Sequence, residues 1–292
     1  MELSELVRLA IREDVGSGDL TTRATVPSSA QGSGLIRAKS RLVVCGHREA
    51  SEVFHQMSSS EGSVQYEVLV GEGQLAQAGQ PVARLSGSLA RILTGERLAL
   101  NFLMHLSGIA THTANTVAAL PDGANLRVVD TRKTAPLLRE PQRRAVCIGG
   151  GANHRFALYD GILIKDNHIV AAGGIEAAVQ RARKAAHHLL RIEVEVESVE
   201  QAVRAVEAGA DVVMLDNMDD QQVEMAIERL RGSALFEVSG NITAERLPRL
   251  AALGVDVVSI GGLIHQARWA DLSLKLNPLT DRRERAANPA SG

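Results

Sequence analysis

"AVEAGADVVMLDN" (residues 205–217) and "LAALGVDVVSIGG" (residues 250–262) follow the same pattern. In each, a segment with apolar residues at helical spacing reaches a glycine, Gly209 or Gly254, and Asp-Val-Val then opens an apolar run. Glycine accepts the left-handed backbone conformation that ends a helix, so each segment predicts a compact turn from a helix into a buried strand. This internal echo predicts a fold built from repeated strand–helix units.

The same alternation continues from about residue 126 onward. Short apolar runs recur as "LRVVDT" (126–131), "GILIKDNH" (161–168), "RIEVEVES" (191–198), "DVVMLDN" (211–217), "LFEVSGN" (235–241) and "VDVVSIGG" (255–262). Segments with helical spacing separate them, which predicts a parallel sheet wrapped by helices. We interpret this as an incomplete (β/α) barrel in preference to an open doubly wound sheet. No GxGxxG follows the first strand, which counts against a dinucleotide-binding fold.

The first hundred residues have a different organisation. They predict short strands joined by glycine turns, with helices at 2–13 and 47–58. A long helical stretch at 88–120 is expected to be interrupted near Ser107-Gly108. We therefore predict a separate N-terminal α/β domain at 1–110, the barrel at 111–272, and a C-terminal return segment with a flexible tail at 273–292, disordered from 281.

Composition excludes several functions. A formal net charge of −2 over 292 residues argues against a general nucleic-acid-binding protein, and an aromatic content of 2% leaves little for base stacking. Cys45 and Cys147 are too few for a disulfide framework or a cysteine-based zinc site. No signal peptide or bilayer-spanning stretch is recognisable, so a reduced, cytoplasmic setting is expected.

Basic residues concentrate in "TRKTAPLLREPQRRAVCIGGGANHRFALYDGILIKDNH" (131–168). Active sites of such barrels lie at the carboxyl ends of the strands, and several of these cations follow strands directly. Glycine-rich turns after the later strands favour phosphate binding. Together they predict a pocket for a phosphorylated sugar and a second anionic substrate. Arg143 and Arg144 are expected instead on a solvated helix face, since most surface charges have no specific role.

One strand carries carboxylates on one face, because Glu193, Glu195 and Glu197 alternate with apolar residues. A buried carboxylate needs a partner, so we expect at least one of the three to point into the pocket.

Several motifs in this order resemble the quinolinate phosphoribosyltransferases, also called nicotinate-nucleotide pyrophosphorylases (carboxylating). They are "EDVGSGDLTT" (13–22), "GERLALNFLMHLSGIAT" (95–111), "VVDTRKT" (128–134), "GGGANHRFALYDGILIKDNH" (149–168), "EVEVES" (193–198), "VVMLDN" (212–217), "EVSGNI" (237–242) and "GVDVVSIGGL" (254–263). The resemblance extends to about residue 275. It differs from the family pattern after "TRKT", where Leu137 and Pro141 intrude, and at "LIHQ" (263–266).

The resemblance implies an N-terminal α/β sandwich and an open parallel α/β barrel of the phosphoribosyltransferase type. It also implies a cytoplasmic homodimer or dimer-based oligomer. The implied enzyme is a Mg²⁺-dependent nicotinate-nucleotide diphosphorylase (carboxylating), a pentosyl-group glycosyltransferase of de novo NAD biosynthesis. Quinolinate and phosphoribosyl pyrophosphate would give nicotinate mononucleotide, pyrophosphate and CO₂. Mg²⁺ would arrive with phosphoribosyl pyrophosphate, with ligands mostly from substrate and water.

The resemblance also implies roles for individual residues. The quinolinate carboxylates would be held by Arg132, His154, Arg155 and Lys165, with Lys133 facing both the acid and the pyrophosphate. Glu195 and Asp216 would contact the ribose hydroxyls, directly or through Mg²⁺-bound water. The 5′-phosphate would be bound by Ser239, Gly240, Asn241, Gly261 and Gly262. Arg97 would complete the neighbouring subunit's site. The catalytic residues would be Lys133, Lys165, Glu195 and Asp216.

Three alternatives remain open from the sequence. The chain could be a related phosphoribosyltransferase acting on another pyridine or heteroaromatic acid. It could be a Schiff-base lyase that uses Lys165, although the two carboxylates at the strand ends would then be unexplained. It could also be a non-catalytic protein that binds a phosphorylated metabolite, which would make the carboxylates dispensable.

Overall fold

The structure, a computed structural model, describes residues 2–58 and 62–278. The tail predicted to be disordered at 281–292 lies outside this part. The chain divides into two compact units. One takes the chain up to Thr111 and again from Arg268 onward, and the other spans His112–Ala267. The sequence-based boundaries were 110 and 272.

The first unit contains an antiparallel sheet and helices. Its elements in chain order are α1 (Leu3–Asp14), α2 (Leu20–Thr25), β1 (Gln31–Ala38), β2 (Leu42–Val43), α3 (His47–Met57), β3 (Val64–Val68), β4 (Leu75–Ala76), β5 (Pro81–Ser88) and the start of α4 (Leu89–Val117).

The second unit alternates strands and helices. Its elements are β6 (Arg127–Val129), α5 (Arg139–Ile148), β7 (Ile162–Ile164), α6 (Asp166–Ala172), α7 (Ile175–Ala185), β8 (Ile192–Val196), α8 (Val199–Glu207), β9 (Val212–Asp216), α9 (Asp220–Leu230), β10 (Leu235–Ser239), a 3₁₀ turn (Ala244–Arg246), α10 (Leu247–Leu253), β11 (Val257–Ser259) and α11 (Gly262–His265). The final strand, β12 (Leu272–Pro278), belongs to the first unit.

The first unit's main sheet has the order β12-β1-β5-β3, and all its pairings are antiparallel. Strand β12 pairs with β1 from Gly32 opposite Pro278 to Ala38 opposite Leu272. Because β12 pairs with β1, the C-terminal part of the chain returns to the first unit. It does so at Arg268, before the predicted boundary of 272. The N-terminal α/β domain is therefore closed by the C-terminal segment.

The helix predicted to break near Ser107-Gly108 is continuous as α4, so that prediction was wrong. A Cβ atom on Gly108 would lie 2.2 Å from the backbone oxygen of Arg268. The Ser107 hydroxyl donates a hydrogen bond to the Cys45 carbonyl and accepts one from the Cys45 N–H. The small residues therefore allow a close backbone approach within the first unit and do not end the helix.

The second unit is an open parallel α/β barrel. Its six strands have the order β6-β11-β10-β9-β8-β7, so β6 and β7 are the sheet's two edges and are not paired with each other. Both glycines of the repeated motif have the predicted left-handed conformation, with φ of 99° at Gly209 and 85° at Gly254. The echo extends to its aspartates. Asp211 accepts a hydrogen bond from the Ile192 N–H, and Asp256 accepts one from the Phe236 N–H, both at neighbouring strand starts.

The two faces of this sheet differ in chemistry. On one face Val196, Leu215, Val238 and Val258 lie side by side and are fully buried. The opposite face carries the alternate residues of each strand. Glu195, Met214 and Glu237 form one row across neighbouring strands, and Asp216, Ser239 and Ser259 form the next row towards the carboxyl ends of the strands. Because strand side chains alternate, the apolar face forms the core and the polar face is left for the barrel interior. In the described part of the chain, no helix has both the length and the apolar character needed to cross a bilayer.

Candidate active site

A cavity of about 590 Å³ opens where the strands of the second unit end. Its walls come from the polar face of the sheet and from the loops that follow β6 and precede β7. The lining residues are Thr131, Arg132, Lys133, His154, Arg155, Leu163, Lys165, Glu195, Met214, Asp216, Asn217, Ser239, Gly240, Asn241 and Ser259. This is the strand edge at which α/β barrels place their active sites.

Four fixed cations meet in this cavity: Arg132, Lys133, Arg155 and Lys165. Burial lowers the pKa of the Arg155 guanidinium, and the positive charge of Arg132 lowers it further. The Nε atom of Arg132 is buried without a hydrogen-bond partner. Two neighbouring guanidinium groups are suited to binding planar carboxylates, because each can form paired hydrogen bonds to a carboxylate.

Two carboxylates from adjacent strands share the cavity with these cations. Glu195, near the end of β8, forms an ion pair with the ammonium group of Lys165. Asp216, the last residue of β9, accepts a hydrogen bond of 2.8 Å from the Asn217 amide. Acidic and basic groups are thus both within reach of a substrate that carries hydroxyls as well as negative charge.

The turns after β9 and β10 are interlocked. Gly240 has φ of 94°, and a Cβ atom there would lie 2.2 Å from Oδ1 of Asn217. Asn217 and Asn241 also have left-handed backbone conformations, with φ of 55° and 49°. The carbonyl of Ser239 accepts a hydrogen bond from the Asn217 N–H. A residue with a side chain could not occupy position 240 without moving the neighbouring turn.

The predicted glycines after β11 lie close to the cavity but do not line it. A Cβ atom on Gly261 would lie 2.9 Å from Cδ of Lys133 and 3.3 Å from Oγ1 of Thr131. At Gly262, a Cβ atom would lie 2.8 Å from Oε1 of Gln266. Gly261 therefore gives the Lys133 side chain the space it occupies.

Arg143 anchors the loop that carries His154 and Arg155. The prediction that Arg143 lies on a solvated helix face was wrong, because this residue is only 4% exposed. Its guanidinium donates hydrogen bonds to the carbonyls of His154 and Arg155 and lies 3.4 Å from Asp130. Asp130 in turn accepts the His154 backbone N–H at 3.0 Å. Burial raises the pKa of Asp130 to about 6, against the opposing effects of that N–H and of Arg143.

The His154 ring faces the barrel interior. Its Nδ1 atom accepts a hydrogen bond of 2.7 Å from the Arg155 backbone N–H. Its Nε2 atom lies 3.2 Å from Oε2 of Glu193 and 3.5 Å from Oε2 of Glu237. Both ring nitrogens therefore have protein partners, and direct binding of a substrate carboxylate by His154 would require Nε2 to leave the glutamates.

The structure brings most of the predicted site residues together. Those that line the cavity are Arg132, Lys133, His154, Arg155, Lys165, Glu195, Asp216, Ser239, Gly240 and Asn241. Arg97 is an exposed residue of α4 and is not among the lining residues. Glu237, Asp130 and Asn217 were not assigned a role from the sequence, and Glu193 was considered there only as one of three glutamates that could point inward. A glutamate within the apolar run "LFEVSGN" was the available signal for Glu237.

An open α/β barrel with clustered cations, paired carboxylates and a glycine turn at its strand ends defines an enzyme for polyanionic substrates. Comparison with known proteins identifies the particular family. Residues 19–107 match the quinolinate phosphoribosyl transferase N-terminal domain, and residues 109–275 match the C-terminal domain. The chain therefore belongs to the quinolinate phosphoribosyltransferase family.

Individual relatives agree with this assignment over nearly their whole length. The probable nicotinate-nucleotide pyrophosphorylase (carboxylating) of Bacillus subtilis is 39% identical, with 94% of this chain and 93% of that protein covered. The nicotinate-nucleotide pyrophosphorylase (carboxylating) of Homo sapiens is 38% identical, with 94% and 91% covered. The crystal structure of NadC from Streptococcus pyogenes superposes with a TM-score of 0.89 at 41% identity, covering 95% of this chain and 97% of that one.

Proposed function

We propose that this protein transfers the phosphoribosyl group of phosphoribosyl pyrophosphate to quinolinate with decarboxylation. The products are nicotinate mononucleotide, pyrophosphate and CO₂, as the names of the relatives suggest. The observation that carries the proposal is the pairing of Arg132 with Arg155 in a cavity that also presents Glu195 and Asp216. Binding of a dicarboxylate acceptor accounts for the two arginines, and binding of a ribosyl donor accounts for the two carboxylates.

The cations bind and orient the acid. Arg132, Arg155 and Lys165 neutralise the two quinolinate carboxylates, and Lys133, which lines the same cavity, contacts the acid and the leaving pyrophosphate. Without fixed cations, a dianion and a polyphosphate would repel each other in one cavity. Holding the pyridine nitrogen beside the anomeric carbon converts their encounter into an intramolecular step.

The carboxylates act on the sugar. As the pyridine nitrogen forms its bond to the anomeric carbon, the bond from that carbon to the pyrophosphate oxygen breaks and positive charge develops on the sugar. Glu195 and Asp216 bind the ribose hydroxyls and stabilise this charge. The 5′-phosphate binds to the turn of Ser239, Gly240 and Asn241, with Gly261 and Gly262 at its border. Carbon dioxide then leaves C2, and a proton takes its place.

Mg²⁺ would be held mostly by substrate oxygens and water, with Glu195 and Asp216 as the carboxylates of this cavity that would accept hydrogen bonds from that water. The cavity offers carboxylate and amide oxygens, which suit a hard cation that retains much of its hydration. When bound with phosphoribosyl pyrophosphate, it neutralises charge on the leaving group.

We further propose that the protein is a cytoplasmic homodimer or dimer-based oligomer. Arg97 would then complete the site of the neighbouring subunit. Its exposed position on α4 leaves it accessible to a neighbouring subunit.

The test of the proposal is a product assay with the purified protein, quinolinate, phosphoribosyl pyrophosphate and Mg²⁺. Mass spectrometry should detect nicotinate mononucleotide together with CO₂ released from the 2-carboxylate. Nicotinate should not replace quinolinate, because it leaves cations of the Arg132 and Arg155 cluster unpaired. Equal turnover of nicotinate would contradict the assignment of the pocket, and binding without turnover would favour a non-catalytic role.

A further inference from the structure

At the floor of the cavity lies a polar cluster that the proposed mechanism does not use. It consists of His154, Glu193, Glu237 and Ser259. Glu193 precedes Glu195 by one step on the polar face of β8, and Glu237 precedes Ser239 in the same way on β10. The two glutamates are 8% and 3% exposed. They therefore form the layer directly below the residues that contact substrate.

The hydrogen bonds of His154 fix where its proton is. Because Nδ1 accepts the Arg155 backbone N–H, the ring proton of the neutral form is on Nε2. That nitrogen faces both Glu193 and Glu237. The other carboxylate oxygens, Oε1 of each glutamate, are buried without a hydrogen bond. One N–H group cannot compensate two buried carboxylates if both are ionised.

We propose that Glu193 and Glu237 share one proton and act as positioning residues, facing the Nε2–H group of a neutral His154 and leaving a single negative charge below the cavity. A neutral histidine, one carboxylate and one carboxylic acid sum to one negative charge. If both glutamates were ionised, this negative charge would double and would repel a dianionic acid bound above it more strongly. The inference rests on the proposed function, because it assigns a role in binding quinolinate.

The groups around the cluster support this protonation state. Burial raises the pKa of Glu237 to about 8, and the charge of Glu193 raises it further, against the opposing effects of His154 and Ser259. Burial lowers the pKa of His154, whereas its hydrogen bond to Glu193 and the charge of Glu237 raise this pKa overall. The Arg155 N–H that points at Nδ1 nevertheless leaves no acceptor for a second ring proton. The positive charge of Arg155 also opposes protonation of the ring. Lys165 and Glu195 neutralise each other in the layer above.

The inference is tested by the pH dependence of the KM for quinolinate. The carboxyl groups of quinolinate are ionised throughout pH 6.5–9.5, so a change in this range belongs to the protein or the other substrate. In the parent protein, ionisation of Glu237 above about pH 8 should raise the KM for quinolinate. Glu237→Gln cannot ionise, so its ratio of KM at pH 9 to KM at pH 7 should fall towards one. Glu228→Gln, an exposed change on α9, should keep the parent's ratio.

Glu193→Gln separates the two glutamates. It removes the negative charge that raises the pKa of Glu237, so the rise in the KM for quinolinate should begin at a lower pH than in the parent. Glu193→Asp keeps the charge and should keep this rise close to the parent's pH. A role that was merely structural would lower kcat and raise KM without regard to pH or to the charge retained.

The ionisation of Glu237 can also be followed through protein stability, independently of enzymatic activity. The raised pKa of Glu237 favours folding below about pH 4.5, and this contribution is lost as pH rises towards 8. The Tm of Glu237→Gln relative to the parent should therefore increase between pH 5.5 and 8.5 and level off above. If no nicotinate mononucleotide forms but this trend is seen, the proposed function fails while the shared proton remains.

Two results would overturn the inference. One is a folded Glu237→Gln variant whose KM ratio and relative Tm depend on pH as they do in Glu228→Gln. The other is a stoichiometric divalent metal ion bound by the parent protein and lost from Glu237→Gln, because a metal would then fill the role of the proton.

Discussion

At the scale of single residues, the ion pair between Lys165 and Glu195 joins a residue proposed to bind the acid to a residue proposed to bind the sugar. Lys165 is 44% exposed and Glu195 is 15% exposed, so the pair lies at the cavity wall and is partly solvated. Exposed ion pairs contribute little free energy, about 1 kcal/mol or less. An anionic acid can therefore recruit Lys165 at small cost, which frees Glu195 to contact the sugar.

The first mutational prediction concerns Glu195→Gln and Asp216→Asn. Both changes preserve size and hydrogen bonding but remove the charge that stabilises the sugar in the transition state. We expect kcat to fall by roughly 10²-fold, with a smaller change in the KM for quinolinate. Steady-state kinetics at saturating Mg²⁺ would measure both constants.

Glu197→Gln is the matched control for this prediction. Glu197 follows β8 directly but is exposed and does not line the cavity. Its substitution should leave kcat within about twofold of the parent, as is usual for exposed positions. Near-normal turnover of the Glu195 and Asp216 variants would instead favour a protein that binds the metabolite without catalysis.

Residue type alone could not predict which charges face the substrate. Arg143 belongs to the same basic segment as Arg155, yet it is buried and binds backbone carbonyls. Glu237 was overlooked because a single glutamate in an apolar strand gives no indication of its neighbours. Their roles depend on contacts between β10, β8 and the loop before β7, which are remote in sequence. The strand-end cations were predictable, because their position follows from the strand pattern itself.

At the scale of elements, the strand–helix repeat was predictable because each strand has a wholly apolar outer face. The six apolar runs of the second unit correspond to β6 through β11. Glycine was the less reliable signal. At Gly209 and Gly254 it ends a helix as predicted, whereas Gly108 lies inside continuous α4 because another backbone passes close to it. The sequence does not show whether a glycine is present because the backbone needs a positive φ or because a side chain would clash with a neighbouring atom.

This distinction predicts different effects for two glycine substitutions. Gly240→Ala meets both a left-handed backbone and the Asn217 amide at 2.2 Å, whereas Gly254→Ala, at φ of 85°, has no atom within 4 Å of its Cβ. Gly254→Ala should cost about 1–2 kcal/mol of unfolding free energy from backbone strain alone. Gly240→Ala should cost more and should also raise the KM for phosphoribosyl pyrophosphate.

Urea denaturation and steady-state kinetics would measure these effects. The KM for phosphoribosyl pyrophosphate should be unchanged in Gly254→Ala, whose substitution lies at the opposite end of the strands. If both variants lost equal stability and retained the parent's KM, the turn after β10 would not bind the phosphate.

At the scale of the whole molecule, the proposed sharing of sites between subunits predicts complementation. Arg97→Ala and Lys165→Ala should each be nearly inactive, through defects in different units of the chain. In a mixed two-fold dimer, one site would carry both defects and the other neither. Refolding an equal mixture should therefore restore activity to roughly a quarter of the parent's, if assortment is random.

Each variant refolded alone is the control and should remain inactive. Native mass spectrometry would verify that mixed dimers form. Mixed dimers without recovered activity would place Arg97 in its own chain's site or outside the site altogether.

The pairing of β12 with β1 has a consequence for biosynthesis. Roughly 180 residues separate the end of β5 from β12, which at about 5–20 residues per second is on the order of ten to forty seconds of translation. Throughout that interval the nascent chain carries β1 with an unpaired edge, open to intermolecular pairing. The ribosome thus delivers the whole catalytic unit before the first unit can complete its sheet. Slow elongation through the barrel would prolong the period in which a chaperone must shield that edge.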